Sequence, residues 1–382
     1  MIAPKLRFKE FDGDWTLQNL GDSFSLISGY AFPSSSSVDV GARWLKIADV
    51  GIQEMTPNNP SYLPLEYLDK YSQFIVSKND YVIALTRPIL NKKLKIAKVG
   101  ELYDGALLNQ RVAKIYSKSN DLDFIYSLLQ KSKTVEELEN SIAGTDPPNL
   151  SLNDVKEIKL GFPSKEEQTK IASFLSAVDE KISQLTRKHQ LLSQYKQGMM
   201  QKLFSQQIRF KADDGSEFEE WEILKFKDVI TIKYGKDHKK LKDGDIPVLG
   251  TGGIMRYVDS YLYDGESILI GRKGTIDKPQ FISGKFWTVD TLFYTEIGEK
   301  IRPKFAFQQL LLVNWLNLNE ATGVPSLNTT SIGNIELKVP SLEEQTKIAN
   351  FLSAIDQKID VVSEQLEQAK LWKKGLLQQM FV

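Results

Sequence analysis

Several residue groups in this chain have the types and spacing for chemistry, and most of them lack the partners that chemistry needs. Asp146-Pro147-Pro148-Asn149 begins like a site that grips an extruded base for methylation of its amino group. The fourth position should be aromatic, to stack on the base, and it is Asn149. No glycine-rich turn after a strand is present to hold S-adenosylmethionine. Glu157-x-Lys159 and Glu336-x-Lys338 match the end of a Mg²⁺-dependent nuclease pattern. Such a site needs several convergent carboxylates, and no preceding Pro-Asp is suitably placed. Alternation of polar residues along a strand gives the same spacing trivially. His189 and His238 are the only two histidines and there is no cysteine, which disfavours thiol–zinc sites, disulfides and a Ser-His-Asp arrangement. No G-x-x-x-x-G-K-[ST] loop occurs. The chain reads as non-catalytic.

Cations remain. The chain has 49 basic and 49 acidic residues, but their distribution matters more than their sum. Between positions 81 and 100 stand Arg87, Lys92, Lys93, Lys95 and Lys98 with no acid. Lys233, Lys236, His238, Lys239, Lys240 and Lys242 surround one acid, Asp237, and Arg272, Lys273, Lys278 and Lys285 share their stretch with Asp277. Such patches can track phosphates. In 81–87 and in 266–272 an apolar strand is followed by a small residue and then an arginine, Arg87 or Arg272. An arginine leaving a rigid strand can reach a guanine edge bidentately, and Gly271 and Gly274 would let the backbone approach a phosphate. The candidate DNA contacts are Arg43, Lys46, Arg87, Lys92, Lys93, Lys95 and Arg111 in the first half and Lys236, His238, Lys239, Lys240, Arg256, Arg272, Lys273 and Lys278 in the second.

The elements that must position them are marked by a duplication. Residues 163–182 and 340–359 are identical at sixteen of twenty positions, at a constant offset of 177. Ser164-x-x-Glu167 and Ser341-x-x-Glu344, each after a proline, are helix-capping patterns. A 3.5-residue apolar rhythm follows. In the first copy it comprises Ile171, Leu175, Val178, Ile182 and Leu185, then His189, Leu192 and Met199; in the second, Ile348, Leu352, Ile355, Ile359, Val362, Leu366 and Ala369. The pattern predicts two long helices packing as an antiparallel coiled coil, with His189 as a semi-polar seam residue and Gly198 and Gly375 loosening the last turns. The offset also aligns Pro148 with Pro325 and Leu150 with Leu327, and Arg7-Phe8…Trp15 rhymes with Arg209-Phe210…Trp221.

The chain therefore divides into a body at 1–162, a helix at 163–206, a second body at 207–339 and a second helix at 340–382. The fold class expected is α+β, with two pseudo-repeated mixed α/β bodies. Strands are predicted over 81–85, 111–116, 267–270 and 287–294, helices over 124–130 and 305–316, and a flexible loop over 34–37. No run of apolar residues is long enough to span a membrane, and the first fifteen residues lack the apolar stretch of a secretion signal. Together with the absence of cysteine, this points to the cytoplasm.

Two divergent bodies alternating with helices that begin P-S-x-E-E-Q-T-K-I-A-x-F-L-S-A-[VI]-D-x-K-I resemble the specificity subunit of type I restriction–modification enzymes over essentially the whole chain. Residues 44–50, 270–274 and 286–291 are further family-like stretches. The resemblance implies that each body is a target recognition domain for one half of a split double-stranded DNA sequence. It implies that the helices fix the gap between half-sites and dock two modification subunits, with two restriction subunits completing the complex. S-adenosylmethionine, ATP and Mg²⁺ would belong to those partners, and this chain would hold no cofactor or metal. The competing expectations are a stand-alone methyltransferase or nuclease, and a coiled-coil adaptor without DNA specificity.

Overall fold

The computed structural model describes residues 3–57, 60–142 and 147–382, so Asp146 lies outside the described residues. By internal contacts the chain forms two units, Met1–Leu185 with Gln365–Val382, and Thr186–Glu364. Each unit holds one body, the start of one long helix and the end of the other.

The first unit contains β1 (Thr16–Asn19), β2 (Ser25–Ser28), β3 (Ala42–Leu45), β4 (Tyr81–Ala84), β5 (Ile89–Leu90), β6 (Lys93–Leu94), β7 (Ile96–Lys98), β8 (Leu107–Leu108), β9 (Val112–Tyr116), α1 (Leu122–Leu128) and β10 (Lys159–Phe162), and α2 (Lys165–Phe204) begins in it. Its main sheet has the order β2-β9-β4-β7 and is antiparallel. β3 runs parallel to β8, and β1 pairs with β10, which ties the two ends of the body together beside the start of α2. The second unit repeats this plan with β11 (Glu222–Lys225), β12 (Ile230–Tyr234), β13 (Ile246–Gly250), β14 (Ser267–Gly271), β15 (Gln280–Ile282), β16 (Lys285–Thr288), β17 (Leu292–Ile297), α3 (Pro303–Leu310) and β18 (Glu336–Val339), and α4 (Leu342–Gln379) begins in it. Here the order is β12-β17-β14-β15, β13 is parallel to β16, and β11 pairs with β18.

Local chemistry explains these elements. β4 and β14 are buried along their whole length, and both are rich in branched apolar residues, as central strands are. Asp121 caps α1 by accepting from the backbone N–H groups of Asp123 and Phe124, and Pro303 opens α3. Two sequence expectations need correction. The single strand over 287–294 is two strands. A turn closed by Leu292 N–H donating to the Val289 carbonyl separates β16, which follows β13, from β17 in the main sheet. The helix over 305–316 stops at Leu310, whose carbonyl accepts from the Trp315 indole N–H, and Asn314 caps a separate 3₁₀ turn at Trp315–Leu318. The segment 34–37 forms a 3₁₀ turn at Ser34–Ser36.

The apolar stripe of each long helix faces more than another helix. In the first unit Ile171, Leu175 and Val178 share one core with Phe124 and Phe162 of the body and with Leu376, Leu377, Met380 and Phe381 from the end of α4. In the second unit Ile348, Leu352 and Ile355 share a core with Phe226 and Phe305 and with Met200, Leu203 and Phe204 from the end of α2. Ile182 and Ile359 border these cores, Leu185, Val362 and Leu366 are buried, and Leu192 and His189 are half-buried. The helices are antiparallel, since in each unit the start of one meets the end of the other. Asp179–Lys373 at 2.6 Å in the first unit and Asp356–Lys196 at 2.7 Å in the second are ion pairs related by the offset of 177. Both helices continue unbroken through Gly198 and Gly375.

The Glu-Gln present in both copies of the duplicated segment anchors body to helix. Ser164 and Ser341 accept from the N–H of Glu167 and Glu344, as a cap should. The two glutamate side chains are taken by a different set of donors. Glu167 receives Nε and Nη2 of Arg7, at 2.8 and 2.7 Å, and the Trp15 indole at 3.3 Å. Glu344 receives Arg209 at 3.1 and 2.8 Å and Trp221 at 3.0 Å. Gln168 and Gln345 each donate to the preceding proline carbonyl. Each also accepts from the backbone N–H that precedes the body helix, at Asp121 or Arg302.

Candidate nucleic-acid interface

The candidate cations sit on loops that leave the strand ends, and hydrogen bonds join those loops in each body. In the first body Asn109 N–H donates to the Leu45 carbonyl, Gln110 to Tyr30, Leu85 to Arg111 and Arg87 to Pro148. In the second, Val289 donates to Leu249, Lys236 to Thr288, Arg272 and Lys273 to Thr291, and Gly274 to Pro325. These bonds, with the strand registers, define equivalent positions. Tyr30 corresponds to Lys236, Lys46 to Gly250, and Arg111 to Thr291. Gly29 and Gly235 are equivalent, and at both the neighbouring strand passes so close that a Cβ would lie about 2 Å from a carbonyl oxygen.

The same bonds correct the pairing of the two arginines. Leu150 N–H donates to Leu85 and Leu327 N–H donates to Arg272, so the counterpart of Arg272 is Leu85. Thr86 bridges Asn149 as Lys273 bridges Ser326, and Arg87 corresponds to Gly274. The equivalence expected from sequence is off by two residues. Arg87 and Gly274 both have positive φ, 48° and 92°.

The structure brings together Lys46, Arg87 and Arg111 in the first body and Lys236, His238, Lys239, Arg272 and Lys273 in the second. Arg87 and Arg111 are exposed. Lys46 lies 3.9 Å over the Trp44 ring. Arg272 is steadied over Tyr234 and by the Asp290 carbonyl at 3.1 Å. A cleft of about 770 Å³ runs along the second cluster, lined by Asp237, His238, Lys239, the turn at 250–255 and residues 289–291. The Nδ1 of His238 is buried without a partner.

Other candidates are held elsewhere. Arg43 lies over the Tyr103 ring at 4.7 Å and bonds its hydroxyl. Lys95 donates to the Ile47 carbonyl, and burial lowers its pKa. Arg256 is paired with Asp243 at 2.6 Å. Lys92 lies in the turn of the β5–β6 hairpin and Lys93 opens β6, and both line a cleft with the end of α4. Lys240 and Lys278 are exposed. Lys159 and the Glu336…Lys338 pair lie on edge-pairing strands, with Lys338 reaching the Phe204 carbonyl. Sequence reasoning missed Tyr30, which is 40% exposed and packs at a tilt against the Tyr71 ring, and the polar Thr251, Asp290 and Thr291 along the cleft. Their parallel-strand context was invisible without the pairing of β3 with β8 and of β13 with β16.

Two stretches, residues 13–193 and 218–371, match the type I restriction modification DNA specificity domain. The chain belongs to that family. The specificity subunit of the type I restriction enzyme MjaVIII of Methanocaldococcus jannaschii is 32% identical over 54% of this chain, which spans 49% of that subunit's length. The putative type I specificity subunit MjaX of the same organism is 24% identical over 98% of this chain and 94% of its own. A type I restriction–modification S subunit from M. genitalium has the same fold, with a TM-score of 0.71 at 19% identity, over 100% of this chain and 99% of that one. In this type I specificity chain, no helix among the described residues is long and apolar enough to cross a membrane.

Proposed function

We propose that the chain is the DNA-reading and assembly subunit of a type I restriction–modification complex, with 1–162 and 207–339 as its target recognition domains. One observation carries this reading. The two bodies share one hydrogen-bond skeleton, yet their loop clusters carry cations at non-equivalent positions. Lys46, Arg87 and Arg111 correspond to Gly250, Gly274 and Thr291, while Lys236, Arg272 and Lys273 correspond to Tyr30, Leu85 and Thr86. Two readers of one architecture and different side chains suit a bipartite, asymmetric target, since base-edge contacts specify sequence while phosphate contacts fix register.

The long helices supply the assembly surface. Tyr195 and Trp372 are related by the offset of 177 and are 50% and 54% exposed. Paired apolar anchors on equivalent helix faces suit two copies of one partner, the modification subunit. That partner would bring S-adenosylmethionine, and the restriction subunits would bring ATP and Mg²⁺ chemistry, in the cytoplasm.

The test is methylation mapping of DNA from cells expressing this chain with its modification partner. A split recognition sequence is expected. Exchanging residues 207–339 for another such body should change one half-site only, and a change in both would refute modular reading. Arg272→Ala should cost about 1–3 kcal/mol and relax one base position if it reads a base. Methyl transfer by the purified chain alone would favour the enzyme alternative.

A further inference from the structure

In the first unit a cleft of about 640 Å³ opens between the β5–β6 hairpin and the last turns of α4. Five lysines line it, Lys92 and Lys93 from the hairpin and Lys370, Lys373 and Lys374 from the helix. The nearby acids leave charge unmatched. Glu367 pairs with Lys370 at 2.8 Å, Asp179 with Lys373 at 2.6 Å, and Glu139 reaches Lys92 only at 3.5 Å. Among the described residues, Lys93 and Lys374 have no ion-pair partner. Lys373 forms the floor, its side chain 7% exposed, with Nζ donating to Gln130 at 2.7 Å and to Gln53 at 3.2 Å. Burial holds its pKa below the usual lysine value, and Lys93 pushes in the same direction.

The shared scaffold does not require this cluster. Free carbonyls favour lysines in the last turn of a helix, and the last turn of α4 holds no basic residue, so helix-end chemistry does not account for its lysines. Lys92 and Lys93 arrive on another element. Their hairpin is specific to the first body. Nine residues separate Arg87 from Ala97, and only five separate the equivalent Gly274 and Gln280. The hairpin turns through Asn91 and Lys92, both at positive φ, 51° and 60°, which is unfavourable for a lysine. On α2, the positions 177 residues before Lys370 and Lys374 are Ser193 and Gln197.

We propose that this cleft binds a ligand carrying at least two phosphate groups, held between Lys93 and Lys374 over Lys373. Phosphate oxygens can accept from several ammonium groups at once, and neighbouring phosphates match cations spread along a cleft wall. Its size admits the polyphosphate of a nucleotide or a short run of DNA backbone. The second source is made accessible by chain continuity. The hairpin strand β5 begins two residues after Arg87, and Gln53 stands seven residues after Lys46; Arg87 and Lys46 belong to the loop cluster described above.

The experiment uses the full chain co-purified with its modification partner, beside the Lys93→Gln/Lys374→Gln double variant. Both substitutions are at exposed positions that keep polar side chains, and circular dichroism verifies the fold. One arm titrates inorganic tripolyphosphate by calorimetry at low salt. The other compares target duplexes ending at the outer edge of a half-site with duplexes extended by about one helical turn. Tripolyphosphate binding weakened on the order of tenfold in the variant assigns a free polyphosphate ligand. A gain in affinity from the extension, lost in the variant, assigns the DNA backbone. If neither probe distinguishes the two proteins, the proposal is overturned. Failure of the DNA-reading function would appear separately, as loss of target preference in the wild-type protein, and leaves the tripolyphosphate arm intact.

Discussion

The two bodies differ least where they meet the long helices and most where their loops gather. At the helix side the anchoring contacts of one unit recur in the other. Phe8 stands edge-on to Phe174, as Phe210 does to Phe351. Phe381 packs against Trp15 and Phe124, as Phe204 packs against Trp221 and Phe305. At the loop side equivalent backbone atoms carry unrelated side chains. Anchoring and reading are therefore separate layers of one domain, and the loop layer is free to change because backbone bonds to residues such as Pro148 and Pro325 hold it in place.

The comparison breaks first if the two anchors are not equivalent. Glu167→Ala should leave Arg7 and Trp15 without their acceptor, and Glu344→Ala should do the same to Arg209 and Trp221. Removing one member of a buried, hydrogen-bonded ion pair costs about 3–5 kcal/mol. Both glutamates are almost fully buried, at 1% and 0% exposure, so the two losses should match. Urea denaturation followed by tryptophan fluorescence measures each. A loss in one unit several-fold smaller than in the other would show that the repeat is one of sequence and not of mechanics.

Much of the anchor side was legible in the sequence. The offset of 177, the capping serines and the apolar rhythm locate both helices to within a few residues. The rhyme of Arg7 and Trp15 with Arg209 and Trp221 was visible too. Their partners were not, because each lies more than 120 residues away and a capping glutamate ordinarily turns back to its own helix. The loop side was harder for a physical reason. Side chains alternate along a strand, so a slip of two residues leaves the buried and exposed faces unchanged. Matching Arg87 to Arg272 still set Ile83, Ala84 and Leu85 on Ile268, Leu269 and Ile270, and the backbone bonds to Pro148 and Pro325 expose the error.

That corrected register sharpens the contrast between the bodies at one position. Arg87 adopts the backbone conformation that its equivalent, Gly274, adopts without strain. Arg87→Gly should therefore stabilise the first unit by up to about 1 kcal/mol, while weakening DNA binding by about 1–3 kcal/mol if the guanidinium reads a base. Thermal unfolding and duplex binding, measured on the same variant, should move in opposite directions. Loss of both stability and affinity would mean that Arg87 is held by packing, and that its conformation carries no penalty.

The smallest effect probes the helices, where the units should agree. Gly198 and Gly375 are equivalent, both lie inside continuous helix, and a Cβ at either would meet nothing within 4 Å. Glycine in a helix interior is less favourable than alanine by roughly 0.5–1 kcal/mol, because the unfolded chain has more freedom to lose. Gly198→Ala and Gly375→Ala should each raise stability by up to that amount, with unchanged DNA affinity, as read by chemical denaturation and duplex binding. A gain confined to isolated chain, and reversed when the modification partner is bound, would mean that the partner packs against the bare helix surface. Both glycines lie three residues beyond the exposed anchors Tyr195 and Trp372, almost one helical turn along the same rod, so the alanine pair also reports how far a docked partner extends along each helix.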